Sequence, residues 1–161
     1  MTHASYQSPI GALKIWADDQ GVTSLEWRLR VLPDLDDEGP QPSAALDIAT
    51  EAVAQLADYF DGTRQAFDLP ISPRVTEFQR SISQALIDIP FGETRTYGDL
   101  AGELGASAQA IGQACGANPI AIIVPCHRVL AANGLGGFSG AGGVEAKVWL
   151  LKHEGAASLL I

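Results

Sequence analysis

A chain of 161 residues, 47% hydrophobic and 18% charged, suits one compact unit or two small lobes sharing a core, and contains no apolar run long enough to span a bilayer. Two cysteines, Cys115 and Cys126, exclude a disulfide framework and lack partner spacing for zinc. The net charge of −9 argues against a strongly basic nucleic-acid binder, because cations on phosphates supply most non-specific affinity for DNA.

The first segment reads as three strands, Ala4–Gln7, Ala12–Ala17 and Val22–Leu29, separated by Ser8-Pro9, Gly11 and Asp18-Asp19-Gln20-Gly21. The alternation in Leu13-Lys14-Ile15-Trp16 predicts one covered face. No basic-then-apolar signal pattern precedes these strands, so a cytoplasmic protein is expected. The stretch from Pro33 to Pro42 is rich in Asp, Glu, Gly and Pro and reads as a solvated loop. Ser43 can cap a helix from Ala44 to Phe60, with Leu46, Val53, Leu56 and Phe60 as its apolar stripe. Phe67 to Pro73 reads as an extended linker, which sets an N-terminal lobe at 1–73 and a C-terminal domain at 76–161.

Thr76-Glu77-Phe78-Gln79 matches a capping box, and Phe78, Ile82, Leu86 and Ile89 follow at helical spacing until Pro90-Phe91-Gly92. A short helix from Thr96-Tyr97 to Leu104, a turn at Gly105, and a second helix capped by Ser107 over 108–116 form a helix-turn-helix pattern. The second helix holds no Lys or Arg. Its small residues Ala110, Gly112, Ala114 and Gly116 would let the backbone lie close to a groove without reading sequence. A last helix, Val144 to His153, is expected to turn Val144, Val148 and Leu151 inward with Trp149 as an anchor, and the apolar tail Ser158–Ile161 to tuck onto the body.

Between these helices lies Ile122-Ile123-Val124-Pro125-Cys126-His127-Arg128-Val129. The β-branched run predicts a buried strand, which Pro125 ends. A cysteine there is a candidate nucleophile if a neighbouring imidazole lowers its pKa, and His127 is the candidate base. The alternative is a small buried hydrophobe beside a surface histidine.

With Asn118-Pro119 ahead of it, this string resembles the active-site signature of the O6-alkylguanine-DNA alkyltransferases. The likeness extends through Gly92-Glu93-Thr94, Thr96-Tyr97, Gly136 to Gly140 and Trp149-Leu150-Leu151 to His153-Glu154-Gly155, covering about 76 to 155 and, more loosely, the N-terminal third. The resemblance implies a ribonuclease-H-like α/β lobe of small antiparallel sheet plus helix, joined to a mainly α, winged-helix-like lobe. It implies a monomer that flips damaged guanine out of double-stranded DNA and moves the O6-alkyl group, or an O4-alkyl group of thymine, to Cys126 once per molecule. No cofactor and no metal are implied.

The resemblance also assigns roles. His127 would deprotonate Cys126 through a water, Glu154 would orient that histidine, and Tyr97 would assist at guanine N3. Asn118 would order the turn behind the thiol. Val129, Phe138, Ser139 and Arg128 would belong to the DNA and substrate contact. One position departs from the pattern: where the family usually inserts an arginine into the vacated stack, this chain has Gln109. Stacking of that kind is worth on the order of 1–3 kcal/mol, so slower repair is expected. Two other readings stay open, a cysteine hydrolase and a lesion-sensing DNA-binding module that does not repair.

Overall fold

The computed structural model describes residues 1–29, 42–138 and 140–156. The loop expected at Pro33 to Pro42, but for its last residue, the tail and Ser139 lie outside the described residues. The chain divides into two compact units, Met1–Arg74 and Val75–Ile161.

In the first unit β1 (Thr2–Ser8), β2 (Gly11–Ala17) and β3 (Val22–Arg28) form an antiparallel sheet in the order β1-β2-β3. The alternation in β2 works as expected: Leu13, Ile15 and Ala17 are buried while Lys14 and Trp16 face outward. Helix α1 (Ala44–Asp61) covers the buried face, starting at Ser43, whose hydroxyl accepts from the Leu46 amide, and ending at Gly62 in the left-handed conformation. Its inward stripe differs from the expected one. Ala45, Ala49, Ala52, Leu56 and Tyr59 point in, and Leu46 and Val53 are only half-buried. Small side chains let the helix lie close to the sheet, so alanines occupy the face where larger residues were expected.

The expected linker is tied down. The Val22 amide donates to Pro70 O at 2.8 Å and the Ser72 amide to Val22 O at 2.8 Å, so Ile71 bridges β3 in parallel. Gly21 permits this approach, since a Cβ there would stand 2.6 Å from Pro70 O.

The second unit contains α2 (Glu77–Ile87), β4 (Arg95–Thr96), α3 (Tyr97–Leu104), α4 (Ala108–Gly116), a 3-10 turn at Cys126–Arg128, β5 (Val129–Leu130) and α5 (Gly143–His153). Local capping sets these boundaries. Thr96 and Asp99 form a reciprocal capping box, Gly105 closes α3 in the left-handed region, and Ser107 caps α4. At α2 only half of the box forms: Thr76 accepts from the Gln79 amide, but the Gln79 side chain turns inward and donates to Ala114 O at 2.8 Å. The buried face of α2 therefore runs through Gln79, Ile82, Ser83 and Leu86, and Phe78 is 42% exposed. The stripe of α5 is displaced in the same way, with Ala146, Lys147, Leu150 and Leu151 buried and Val144 exposed.

Candidate active site

The β-branched run before the thiol is buried, but it is not a strand. Residues 120–124 fold into a tight turn in which the Val124 amide donates to Ile120 O and Ile122 takes φ 72°. A β-branched residue in that region costs on the order of 1–3 kcal/mol, and Asn118 holds the turn there. Its Nδ2 donates to Val124 O at 2.8 Å and its Oδ1 accepts from the Ile120 amide at 3.0 Å. A side-chain amide thus supplies pairing that a neighbouring strand would otherwise supply, which is why the apolar run reads as a strand and folds as a turn. Asn118→Ala leaves the Ile120 amide unpaired and Val124 O with only the Cys126 amide, and is expected to lower stability by about 1–3 kcal/mol, read as a shift in the urea midpoint. An unchanged midpoint would show that the turn holds without it.

Past Pro125 the chain enters the 3-10 turn, which breaks strand alternation and lets Cys126 and His127 serve one site. Cys126 is 4% exposed and opens onto a cavity of about 420 Å³ lined by Tyr97 and Phe138, by Cys115, and by Gly112, Gly116 and Gly137. Gly136 has φ +70°, and a Cβ there would meet the Tyr97 ring at 2.9 Å and its hydroxyl at 3.0 Å. Only glycine lets the loop close over that tyrosine.

His127 is completely buried. Its Nε2 lies 2.7 Å from Glu154 Oε2, while Nδ1 is buried with no hydrogen-bond partner among the described residues. With the proton assigned to Nε2 and shared with the carboxylate, Nδ1 carries the free lone pair of a base. Burial holds the imidazole below its usual range, against the hydrogen bond and charge of Glu154. Burial also pushes the Glu154 carboxyl up, but the hydrogen bonds from His127 and Arg128 and the charge of Arg128 outweigh it and hold the group at about 2. The resting state is therefore neutral histidine beside ionised glutamate.

Arg128, expected at the DNA or substrate contact, is instead 6% exposed. Its Nε donates to Glu154 Oε1 at 2.7 Å, one terminal nitrogen to Oε2 at 3.1 Å and the other to Ile89 O at 2.7 Å. A guanidinium that grips a carboxylate with two of its nitrogens and is enclosed in the fold is not presented to a phosphate.

The thiol itself departs from expectation. Burial pushes Cys126 up, opposed by a hydrogen bond from Asn118, the charge of Lys147 and a backbone amide. An imidazole that stays neutral adds no charge, so Cys126 rests as a thiol and not as a preformed thiolate.

Lys147 is the residue that sequence reasoning missed. It is fully buried, and its Nζ donates to Val129 O at 2.6 Å and to Gly137 O at 3.1 Å, and lies 5.9 Å from the centre of the Tyr97 ring. It clasps the segment after the thiol to the glycine loop. Its signal was present, since Lys147, Leu150, Leu151 and Glu154 share one helical face. The carbonyl of Val129, a residue expected at the DNA and substrate contact, is engaged by this ammonium, and the Cys126 carbonyl accepts from the Val129 amide.

Lys147→Met removes a buried charge but leaves the Val129 and Gly137 carbonyls without this donor. It is expected to lower unfolding free energy by about 1–3 kcal/mol while moving the pH midpoint of Cys126 carbamidomethylation upward. An unmoved midpoint would show that the cation does not act on the thiol.

The other expected site residues divide. Tyr97 and Phe138 line the cavity, whereas Gln109 sits exposed on the first turn of α4 and does not. Burial raises the Tyr97 hydroxyl, and the charges Cys115 and Cys126 would carry raise it further. Among the described residues no group of three or more His, Cys, Asp or Glu could hold a metal ion.

A helix pair beside a cavity, with a cysteine on its wall and a buried His–Glu pair behind it, defines a domain built around a protected thiol. Residues 77–156 match the family model for the 6-O-methylguanine DNA methyltransferase DNA binding domain, and residues 1–73 match that family's ribonuclease-like domain. The Methylated-DNA--protein-cysteine methyltransferase of Methanosarcina acetivorans is 42% identical, over 97% of this chain and 99% of that protein. The Mycobacterium tuberculosis OGT solved in complex with DNA superposes with a TM-score of 0.79 at 40% identity, over 96% of this chain and 93% of that one. An O6-methylguanine DNA methyltransferase from Methanococcus jannaschii gives a TM-score of 0.69 at 27% identity, over 94% and 93% of the two chains. The chain belongs to the 6-O-methylguanine DNA methyltransferase family. Its fold is that of the family, a ribonuclease-like lobe with a small antiparallel sheet and a helical DNA-binding lobe.

Proposed function

We propose that this protein repairs DNA directly, transferring a methyl or other small alkyl group from O6 of guanine in duplex DNA to Sγ of Cys126. The observation that carries the reading is the placement of that thiol on the cavity wall, with the unpartnered Nδ1 of a buried, glutamate-bound histidine on the next residue. The proton of Cys126 passes through a water to His127 Nδ1, and Glu154 stabilises the imidazolium that forms. Sulfur then attacks the alkyl carbon in line, the carbon–O6 bond breaks, and the purine leaves with its electron pair and is protonated. Tyr97, on the cavity wall, supports the leaving purine. The thioether product has no exit, so each molecule acts once.

The division of labour follows the two units, with 1–73 as a supporting lobe and 76–161 as the DNA-binding alkyltransferase domain. Two unbridged cysteines, one of which must stay reduced to work, fit a cytoplasmic location.

A hydrolase with the same Cys–His pair is disfavoured by the backbone. The Cys126 amide donates to Val124 O at 2.8 Å and the Arg128 amide to Pro125 O at 3.1 Å, so neither is free to build an oxyanion hole around the thiol. Incubation with a duplex containing O6-methylguanine is expected to add one methylene mass to the Cys126 peptide. An unmodified peptide from folded protein after long exposure would overturn the proposal in favour of a lesion-sensing module. Gln109→Arg is expected to speed transfer several-fold, since stacking in the vacated site is worth about 1–3 kcal/mol. A rate equal to that of the parent would show that the vacated stack is filled by another group.

A further inference from the structure

The cavity holds a second thiol that the proposed transfer does not use. Cys115, in the last turn of α4, is 6% exposed and opens onto the same cavity as Cys126, and both are free. Both side chains line one cavity wall, the charge Cys126 would carry acts on Cys115, and the ammonium of Lys147 acts on both. Gly112 and Gly116 line the same cavity beside Cys115 and add no side chain to its wall. The segment between the cysteines is short and closed by Asn118, so joining them asks little chain rearrangement.

We propose that Cys115 is a resolving thiol: when a hydroperoxide oxidises Cys126, Cys115 captures the product as an intramolecular disulfide that silences the alkyl acceptor reversibly. In the first step the Cys126 thiolate attacks the peroxide, giving a sulfenic acid and releasing an alcohol or, from hydrogen peroxide, water. In the second the Cys115 sulfur attacks the sulfenic sulfur. An S–S bond forms, the S–O bond breaks, and water leaves with the Cys115 proton. An external dithiol then returns both thiols, becoming a disulfide itself. The order of events follows from environment. Burial pushes Cys115 up to about 12, so it stays protonated while the base beside Cys126 can draw off that thiol's proton. The advantage is protection, because a sulfenic acid left alone in the presence of peroxide goes on to sulfinic acid, which dithiols do not reverse.

This inference rests on the proposed role of Cys126 only for its consequence, since the disulfide can be read without DNA. The full chain is treated with a few equivalents of hydrogen peroxide; one portion is quenched with iodoacetamide under denaturing conditions and weighed intact, and another is reduced with dithiothreitol and assayed for transfer. The expected result is a monomer lighter by two hydrogens that takes up no iodoacetamide, a linked peptide containing Cys115 and Cys126, and alkyl transfer restored to the untreated level by dithiothreitol. Cys115→Ala under the same dose is expected to accumulate sulfinic acid at Cys126, with transfer that dithiothreitol does not restore to that variant's own untreated level. Wild-type protein that forms no linked peptide, or forms it only between two chains, would overturn the proposal. A linked peptide in protein that fails to repair would instead leave it standing and remove the repair reading.

Discussion

Cys126→Ser is expected to remain folded and to acquire no alkyl group from a duplex containing O6-methylguanine, however long the exposure. The reaction needs a sulfur that can be deprotonated by a neutral imidazole. A serine hydroxyl is far less acidic than a thiol, and once ionised is the poorer partner for a saturated carbon. Folding should survive because the hydroxyl can keep the hydrogen bond from Asn118 that the thiol has, so the loss in stability is expected to stay within about 1–3 kcal/mol. Intact mass after incubation, beside a thermal melt, separates the two effects. Methylation of the serine variant would show that the acceptor lies elsewhere.

Glu154→Gln should be the most damaging change that leaves the thiol intact. Glu154 is the only acidic partner of buried Arg128 among the described residues, and it also orients His127. Removing one member of a buried ion pair costs about 3–5 kcal/mol, and the base would lose the charge that stabilises its imidazolium, a loss on the order of 10²–10⁴ in rate.

The pH dependence provides a sharper signature. The native carboxyl is held at about 2, against 4.5 for a free glutamate side chain. Its contribution is therefore fully present above pH 4.5 and is lost as the pH falls from there toward about 2. His127, held by burial below the 6.5 of a free imidazole, adds a separate loss of stability as the pH falls below 6.5, because the unfolded chain takes up a proton that the native one refuses. Urea melts across this range should show the gap between wild type and Glu154→Gln narrowing below pH 4.5. A gap that stays constant to pH 2.5 would mean that the carboxylate is not the source.

What the sequence disclosed was chiefly what short-range chemistry decides. Ser43, Thr96 with Asp99, and Ser107 each satisfy amides within one turn, and Gly62 and Gly105 close helices in a conformation that few other residues adopt. The helix boundaries built on them could be placed almost to the residue, and so could the second and third strands, while β1 begins two residues before the Ala4 expected. Which side of a helix is buried depends on partners far along the chain, and there the reading slipped. Gln79 turns inward to meet Ala114, thirty-five residues away, and Phe78 is left outside. The turn at 120–124 was hidden because burial without alternation fits a strand and an amide-clamped loop equally well.

In the candidate site, the motif residues Cys126, Tyr97 and Phe138 converge on one cavity and His127 meets Glu154. The charged residues were harder to place, because a lysine or arginine in a sequence suggests surface, and only the packed fold reveals a carbonyl or carboxylate inside to receive it.

The burial of Arg128 and Lys147 has a consequence for how the molecule finds damage. Residues 76–161 contain five cations, and with these two enclosed only Arg80, Arg95 and Lys152 remain to meet phosphates. With so few counterions to displace, binding to intact duplex is loose and its dependence on ionic strength shallow. Each visit to an undamaged stretch is brief, and a protein that can react only once benefits from leaving quickly every place where there is nothing to remove.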